Sequence, residues 1–83
     1  MTVQDIAEWM AQYLTRLLDI RRDEVDTALS FDSYGIDSRS AAALVSDLAD
    51  WLNRDLDLNV VYDYPSIDEL SHYLATATKE SST

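Results

Sequence analysis

Cysteine is absent from the chain. A disulfide framework and a thiolate metal site are therefore excluded, and apolar packing alone must hold the fold. Glycine and proline occur once each, as Gly35 and Pro65, and His72 is the single histidine. With so few breakers and no alternating β-branched run, strands and hairpins have little to start from. Cations are scarce too: six Lys and Arg face sixteen Asp and Glu, a net charge of −10. That field repels nucleic-acid backbones and anionic lipid surfaces, and it favours encounters with basic protein partners. Nucleic acid and membrane are accordingly not expected as partners. No basic leader and no long apolar run is found, so a cytoplasmic location is expected.

What is present fits one small helical domain. Eighty-three residues leave no room for a second domain, and 47% hydrophobic residues suffice for a core. Val3, Ile6, Ala7, Met10, Leu14, Leu17 and Leu18 recur at spacings of three and four, which predicts a first helix. Thr2 and Asp5 form a capping-box pattern ahead of it. The following "RRDEVDTALSFDSYG" reads as a long loop pinned by Val25, Leu29 and Phe31. A loop of that length in so small a domain is usually functional when it is anchored.

A second helix is expected in "SRSAAALVSDLADWL". Ala41, Leu44, Val45, Leu48 and Leu52 would line its inner face, with Trp51 at the edge. Arg39, Ala43, Ser46, Asp47, Asp50 and Arg54 would lie outside. "NVVYDY" has no strand to pair with and reads as a short helix. "PSIDEL" announces the last helix, with Ser66 and Glu69 as a capping box and Ile67, Leu70, Leu74 and Ala77 inward. The fold class is thus all-α, a four-helix bundle of three main helices and one short one. The domain is expected over 1–78, with 79–83 as a flexible polar tail.

Little here supports catalysis. His72 follows Asp68 by four residues and Glu69 by three, the spacing of an exposed ion pair. No metal-binding loop and no glycine-rich phosphate cradle is present, so neither a catalytic residue nor a metal ligand is assigned. Trp9, Tyr13 and Trp51 read as packing at the edge of the core. Ser38 is the residue that poses a question. A helix amino end has unpaired N–H groups and partial positive charge, and can stabilise a phosphate carried by a serine there. Gly35 would leave that approach unshielded. Read alone, an Asp-Ser pair at a helix start is a common cap, and Ser38 is then only the N-cap.

Two motifs taken together point further. "FDSYGIDS" and "VVYDYPSIDELSHYLA", at their observed separation, resemble the attachment motif and the last-helix entry of acyl carrier proteins. The similarity runs from about Ile6 to Ala75 and is nearest to polyketide-synthase carrier domains. The resemblance implies a bundle of that type whose Ser38 carries 4′-phosphopantetheine, transferred from coenzyme A by a phosphopantetheinyl transferase. Gly35 and Asp37 then belong to the cofactor site, Asp37 helping the transferase dock. The chain has no thiol of its own, and the arm supplies the one that holds an acyl thioester. Implied partners are an acyl-loading enzyme, either an acyltransferase or an acyl-AMP ligase, and a ketosynthase or other synthase domain. The carrier itself is expected to be a monomer, and not an enzyme.

Departures from the pattern define further expectations. Arg39 stands where the family usually has Leu or Met, and it resembles some loading carriers, which suggests a starter-unit role. The partner-facing set is read as Arg39, Ala43, Asp47, Asp50 and Tyr62, and Tyr62 or Tyr64 is expected to be partly buried near the arm. A single glycine before the serine weighs against an aminoacyl or peptidyl cargo. That carrier, and an acidic interaction module capped by Ser38, are the alternative readings.

Overall fold

The computed structural model describes residues 2–81, with side chains as far as residue 76. Four helices follow one another: α1 Val3–Leu18, α2 Ser38–Leu52, α3 Val60–Asp63 and α4 Ile67–Ser81. Three are long and one is a single turn, the all-α architecture expected. Among the described residues the only β pairing is one bridge between Ser30 and Ser66.

Helix α1 starts where its capping box says it should. The Asp5 N–H donates to Thr2 Oγ1 at 3.1 Å, and the Thr2 N–H donates to Asp5 Oδ2 at 3.2 Å. Ile6, Met10, Ala11 and Leu14 are its buried stripe, and Asp19 ends it in the left-handed conformation. Leu17, expected in the stripe, is 37% exposed, while Leu18 beside it packs half-buried against the core. Helix α2 buries Ala41, Leu44, Val45 and Leu48, and ends at Asn53, also left-handed. Arg54 is thus beyond α2 and not on its outer face. Helix α4 contributes Ile67, Leu70 and Leu74, all fully buried. Ala77, expected inward, lies outside the described side chains, as does the expected tail over 79–83, of which 82 and 83 are not described at all.

The long connection between α1 and α2 is ordered by local bonds. It contains 3₁₀ turns at Arg22–Glu24 and Phe31–Tyr34, and it buries Val25 and Phe31. The Tyr34 hydroxyl accepts the Asp26 N–H at 2.8 Å and donates to the Asp26 carbonyl. Arg22 grips Glu8 with three N–H···O bonds of 2.8–3.2 Å, and the Arg22 guanidinium beside it holds the Glu8 carboxyl down at about 2. The backbone also ties across the molecule. Phe31 N–H donates to the Pro65 carbonyl at 2.7 Å, and Asp68 N–H donates to the Thr27 carbonyl at 3.0 Å.

Two further expectations fail. Leu29 is not an anchor but is 40% exposed. Its N–H closes a turn on the Asp26 carbonyl at 3.1 Å, which faces its side chain outward. Among the described residues His72 makes no ion pair; its Nδ1–H donates to the Asp68 carbonyl at 2.8 Å, within its own helix. At α3, helix rather than strand is observed. The Asn59 carbonyl accepts from Tyr62 and Asp63, and Val60 and Val61 turn into the core. Ser66 caps α4 through the Glu69 N–H at 3.1 Å, while its hydroxyl donates to the Glu69 carboxylate. Every buried side-chain polar atom described has a partner.

Core and surface leucines should respond differently to truncation. Leu48, fully buried, should lose about 2–5 kcal/mol as Leu48→Ala. Leu58, 52% exposed, should change by less than about 0.5 kcal/mol as Leu58→Ala. Urea unfolding with an unchanged slope checks both.

Candidate functional site

The approach to α2 is built residue by residue. Ser30 caps the turn at Phe31–Tyr34, accepting the Ser33 N–H at 3.3 Å. The turn stops at Gly35, whose φ of +77° suits glycine, and whose N–H donates to the Asp32 carbonyl at 3.0 Å. A Cβ at Gly35 would meet nothing within 4 Å. The requirement there is the left-handed angle, and the space above it is open. Ile36 is half-buried, and Asp37 takes an extended conformation with φ −83° and ψ 175°.

Asp37 then caps the helix. Its carboxylate accepts the Ser40 N–H at 2.8 Å, and its carbonyl accepts the Ala41 N–H at 2.9 Å. The Ser40 N–H holds the Asp37 carboxyl below its ordinary value, with the Ser40 side chain adding to the effect. Ser38 is therefore the first residue inside α2, not its N-cap. The reading of Ser38 as a mere cap is overturned. Both residues are cap formers, and the extended backbone falls on the aspartate. Ser38 is exposed, and its hydroxyl makes no hydrogen bond among the described residues. An exposed hydroxyl is left free at the first turn, among N–H groups of the helix start.

The other nominated residues fall in three places. Arg39, Ala43 and Asp50 are exposed on the side of α2 away from Ala41, Leu44 and Leu48. Asp47 is exposed as well, but one of its oxygens is engaged by α1: the Tyr13 hydroxyl donates to Asp47 Oδ2 at 2.8 Å. Tyr62, on α3, is 64% exposed. Tyr64 is half-buried, but its ring stacks on Tyr73 of α4 at 4.2 Å.

Sequence spacing did not reveal the bond between Tyr13 and Asp47, since nothing local links residues on separate helices. The rings around it form a ladder. Trp9 stacks on Tyr13 at 5.3 Å and on Trp51 at 5.3 Å. Contact of residue 9 with 51 and of 13 with 47 means that α1 and α2 run antiparallel along this flank. Burial first, and then the Asp47 carboxylate, push the Tyr13 hydroxyl up to about 12. A groove of about 520 Å³ opens beside Trp9 and Trp51, and another of about 470 Å³ lies along Ala42, Val45, Ala49 and Leu58. Ser38 lines neither. Among the described residues no group of three or more His, Asp or Glu could hold a metal ion, and no helix is long and apolar enough to cross a membrane.

The chain is similar to several known proteins. Residues 8–74 match the family described as "Phosphopantetheine attachment site". The chain is 30% identical over 74 residues to acyl carrier protein TtuC of Teredinibacter turnerae, covering 89% of this chain and 85% of that one. It is 31% identical over 70 residues to polyketide synthase PksL of Bacillus subtilis, covering 84% of this chain but 2% of that synthase. In structure it is similar to a free-standing peptidyl carrier protein from Acinetobacter baumannii, with a TM-score of 0.87 and 25% identity, covering 93% of this chain and 96% of that one.

The division of labour between Asp37 and Ser38 has a thermal signature. Asp37→Ala should lower the melting temperature and Asp37→Asn should largely keep it, since Asn is as good an N-cap. Ser38→Ala should leave it nearly unchanged. Tyr13 makes a second prediction. Its raised pKa means that the fold favours the protonated hydroxyl; that contribution is complete below pH 10 and lost as pH rises through about 12. In a spectrophotometric alkaline titration Tyr13 should ionise late, and Asp47→Asn should bring it earlier.

Proposed function

Because the chain belongs to the phosphopantetheine-attachment family, whose members carry acyl groups on a prosthetic arm and are not enzymes, we propose that Ser38 is where that arm is attached. The cofactor is 4′-phosphopantetheine. The observation that carries the assignment is the free, exposed Ser38 hydroxyl at the first position of α2, with the capping bond made by Asp37 instead. The residues fit the group. Ser38 is exposed, a Cβ at Gly35 would meet nothing within 4 Å, and a phosphodiester on Ser38 would lie next to first-turn N–H groups. When bound, the arm supplies a thiol for thioester formation, which a chain without cysteine cannot do itself. Asp37, exposed and ionised, offers the transferase a negative contact beside the acceptor.

The cargo is acyl, and the setting is polyketide or fatty-acyl biosynthesis in the cytoplasm. The similarity to TtuC and to a polyketide synthase supports that reading. The domain works as a monomer. It receives its cargo from an acyltransferase or acyl-AMP ligase and presents it to a ketosynthase or another synthase domain. Arg39, Ala43, Asp50 and Tyr62 face these partners, as does the oxygen of Asp47 that Tyr13 leaves open. Arg39 directly after the serine supports a role in loading starter units. A second reading, an aminoacyl or peptidyl carrier, is favoured by the similarity to a peptidyl carrier protein.

Incubation with coenzyme A and a promiscuous phosphopantetheinyl transferase should raise the intact mass by one phosphopantetheine, and Ser38→Ala should abolish the gain. An unmodified wild-type chain, or a modified alanine variant, refutes the assignment. Loading of the modified chain by acyl-activating but not aminoacyl-activating enzymes decides for the acyl reading.

A further inference from the structure

Arg39 occupies a place that the fold does not reward. A helix amino end carries partial positive charge, so a cation in the first turn is disfavoured. The first turn of α2 holds no acid that could offset it. Asp37, two residues earlier, directs its carboxylate at the Ser40 N–H. Arg22 is paired with Glu8, Arg21 with Asp23, and Arg54 has a partner of its own, whereas Arg16 on α1 makes no hydrogen bond or ion pair among the described residues but lies in the last turn of its helix, where a cation is favoured. Arg39 is exposed and, among the described residues, makes no hydrogen bond or ion pair, in a chain with a net charge of −10. Within the described residues this first-turn cation has no counter-charge, and it directly follows Ser38.

We propose that Arg39 is a positioning residue for attachment of the arm, its guanidinium binding the phosphates of coenzyme A while Ser38 is modified. This rests on Ser38 being the acceptor. In that step Ser38 Oγ forms a bond to the pantetheine-bearing phosphorus. The bond from that phosphorus to the bridging oxygen of the pyrophosphate breaks, 3′,5′-ADP leaves with the electron pair, and the serine proton passes to a base of the transferase. Coenzyme A is a polyanion and the chain is strongly acidic, so their approach is repulsive. A guanidinium one residue from the acceptor counters that field locally and offers paired donors to phosphate oxygens.

The test compares wild type, Arg39→Leu and Arg39→Lys as apo proteins with one transferase and coenzyme A. Arg39→Leu should lose about tenfold in kcat/KM at low ionic strength. The deficit should shrink as ionic strength rises from about 0.01 M to about 1 M, where the screening length falls from about 30 Å to about 3 Å. Arg39→Lys should recover part of it, and in the modified proteins the ³¹P resonance of the phosphodiester should differ between wild type and Arg39→Leu. Equal kcat/KM for wild type and Arg39→Leu overturns the proposal, and so does a deficit that salt leaves unchanged. An unmoved ³¹P resonance overturns it too, assigning the effect to a carboxylate on the transferase. If wild type is not modified at all, it is the Ser38 assignment that falls; if wild type is modified and Arg39→Leu matches it, only the role of Arg39 does.

Discussion

One hydrogen bond decides what the amino end of α2 can do: the Ser40 N–H donated to the Asp37 carboxylate at 2.8 Å. A helix start leaves several N–H groups in need of acceptors, and a neighbouring side chain usually takes that duty. With Asp37 performing it, Ser38 sits inside the helix with no structural task. Its hydroxyl is held in a fixed place yet stays chemically free. The aspartate combines two properties that would otherwise conflict. It fixes the helix, and it remains an exposed anion on the approach to the serine.

That arrangement needs a rigid platform, which the long α1–α2 connection supplies. Phe31 and Val25 root it in the core, Tyr34 clips it to Asp26 by both backbone groups, and Arg22 bolts its start to Glu8 on α1. The bonds from Phe31 to Pro65 and from Asp68 to Thr27 join it to the entry of α4. A segment that sequence presents as a polar loop is thereby a strap between the two halves of the bundle. Gly35 ends the strap in the left-handed conformation, which residues with a side chain adopt at a cost.

Much of this was legible in the sequence, for identifiable reasons. Ile6, Met10 and Leu14, Leu44 and Leu48, and Leu70 and Leu74 repeat at helical spacing, and that spacing alone gives three helices and their inner faces. The caps at Thr2 and Ser66 are local patterns and are equally readable. The attachment motif was readable as a whole, but the roles within it were not. Asp37 and Ser38 are both cap formers, and only backbone angles distinguish them. Leu29 was misread because hydrophobicity says nothing of which way a turn faces. The pairing of Tyr13 with Asp47 depends on how α1 and α2 are set against each other, which no local pattern encodes.

The stacked indoles have a practical meaning. Trp9 and Trp51 come from different helices, with centroids 5.3 Å apart and planes 16° from parallel. They are the chain's two tryptophans, so its indole absorption and emission arise entirely from this pair. At that separation their transitions couple, and the coupling falls steeply once the rings part. About twenty ångströms of helix separate Trp51 from Ser38, at 1.5 Å per residue. The molecule thus contains an optical gauge of the α1–α2 seam, remote from the amino end of α2, that requires no added label.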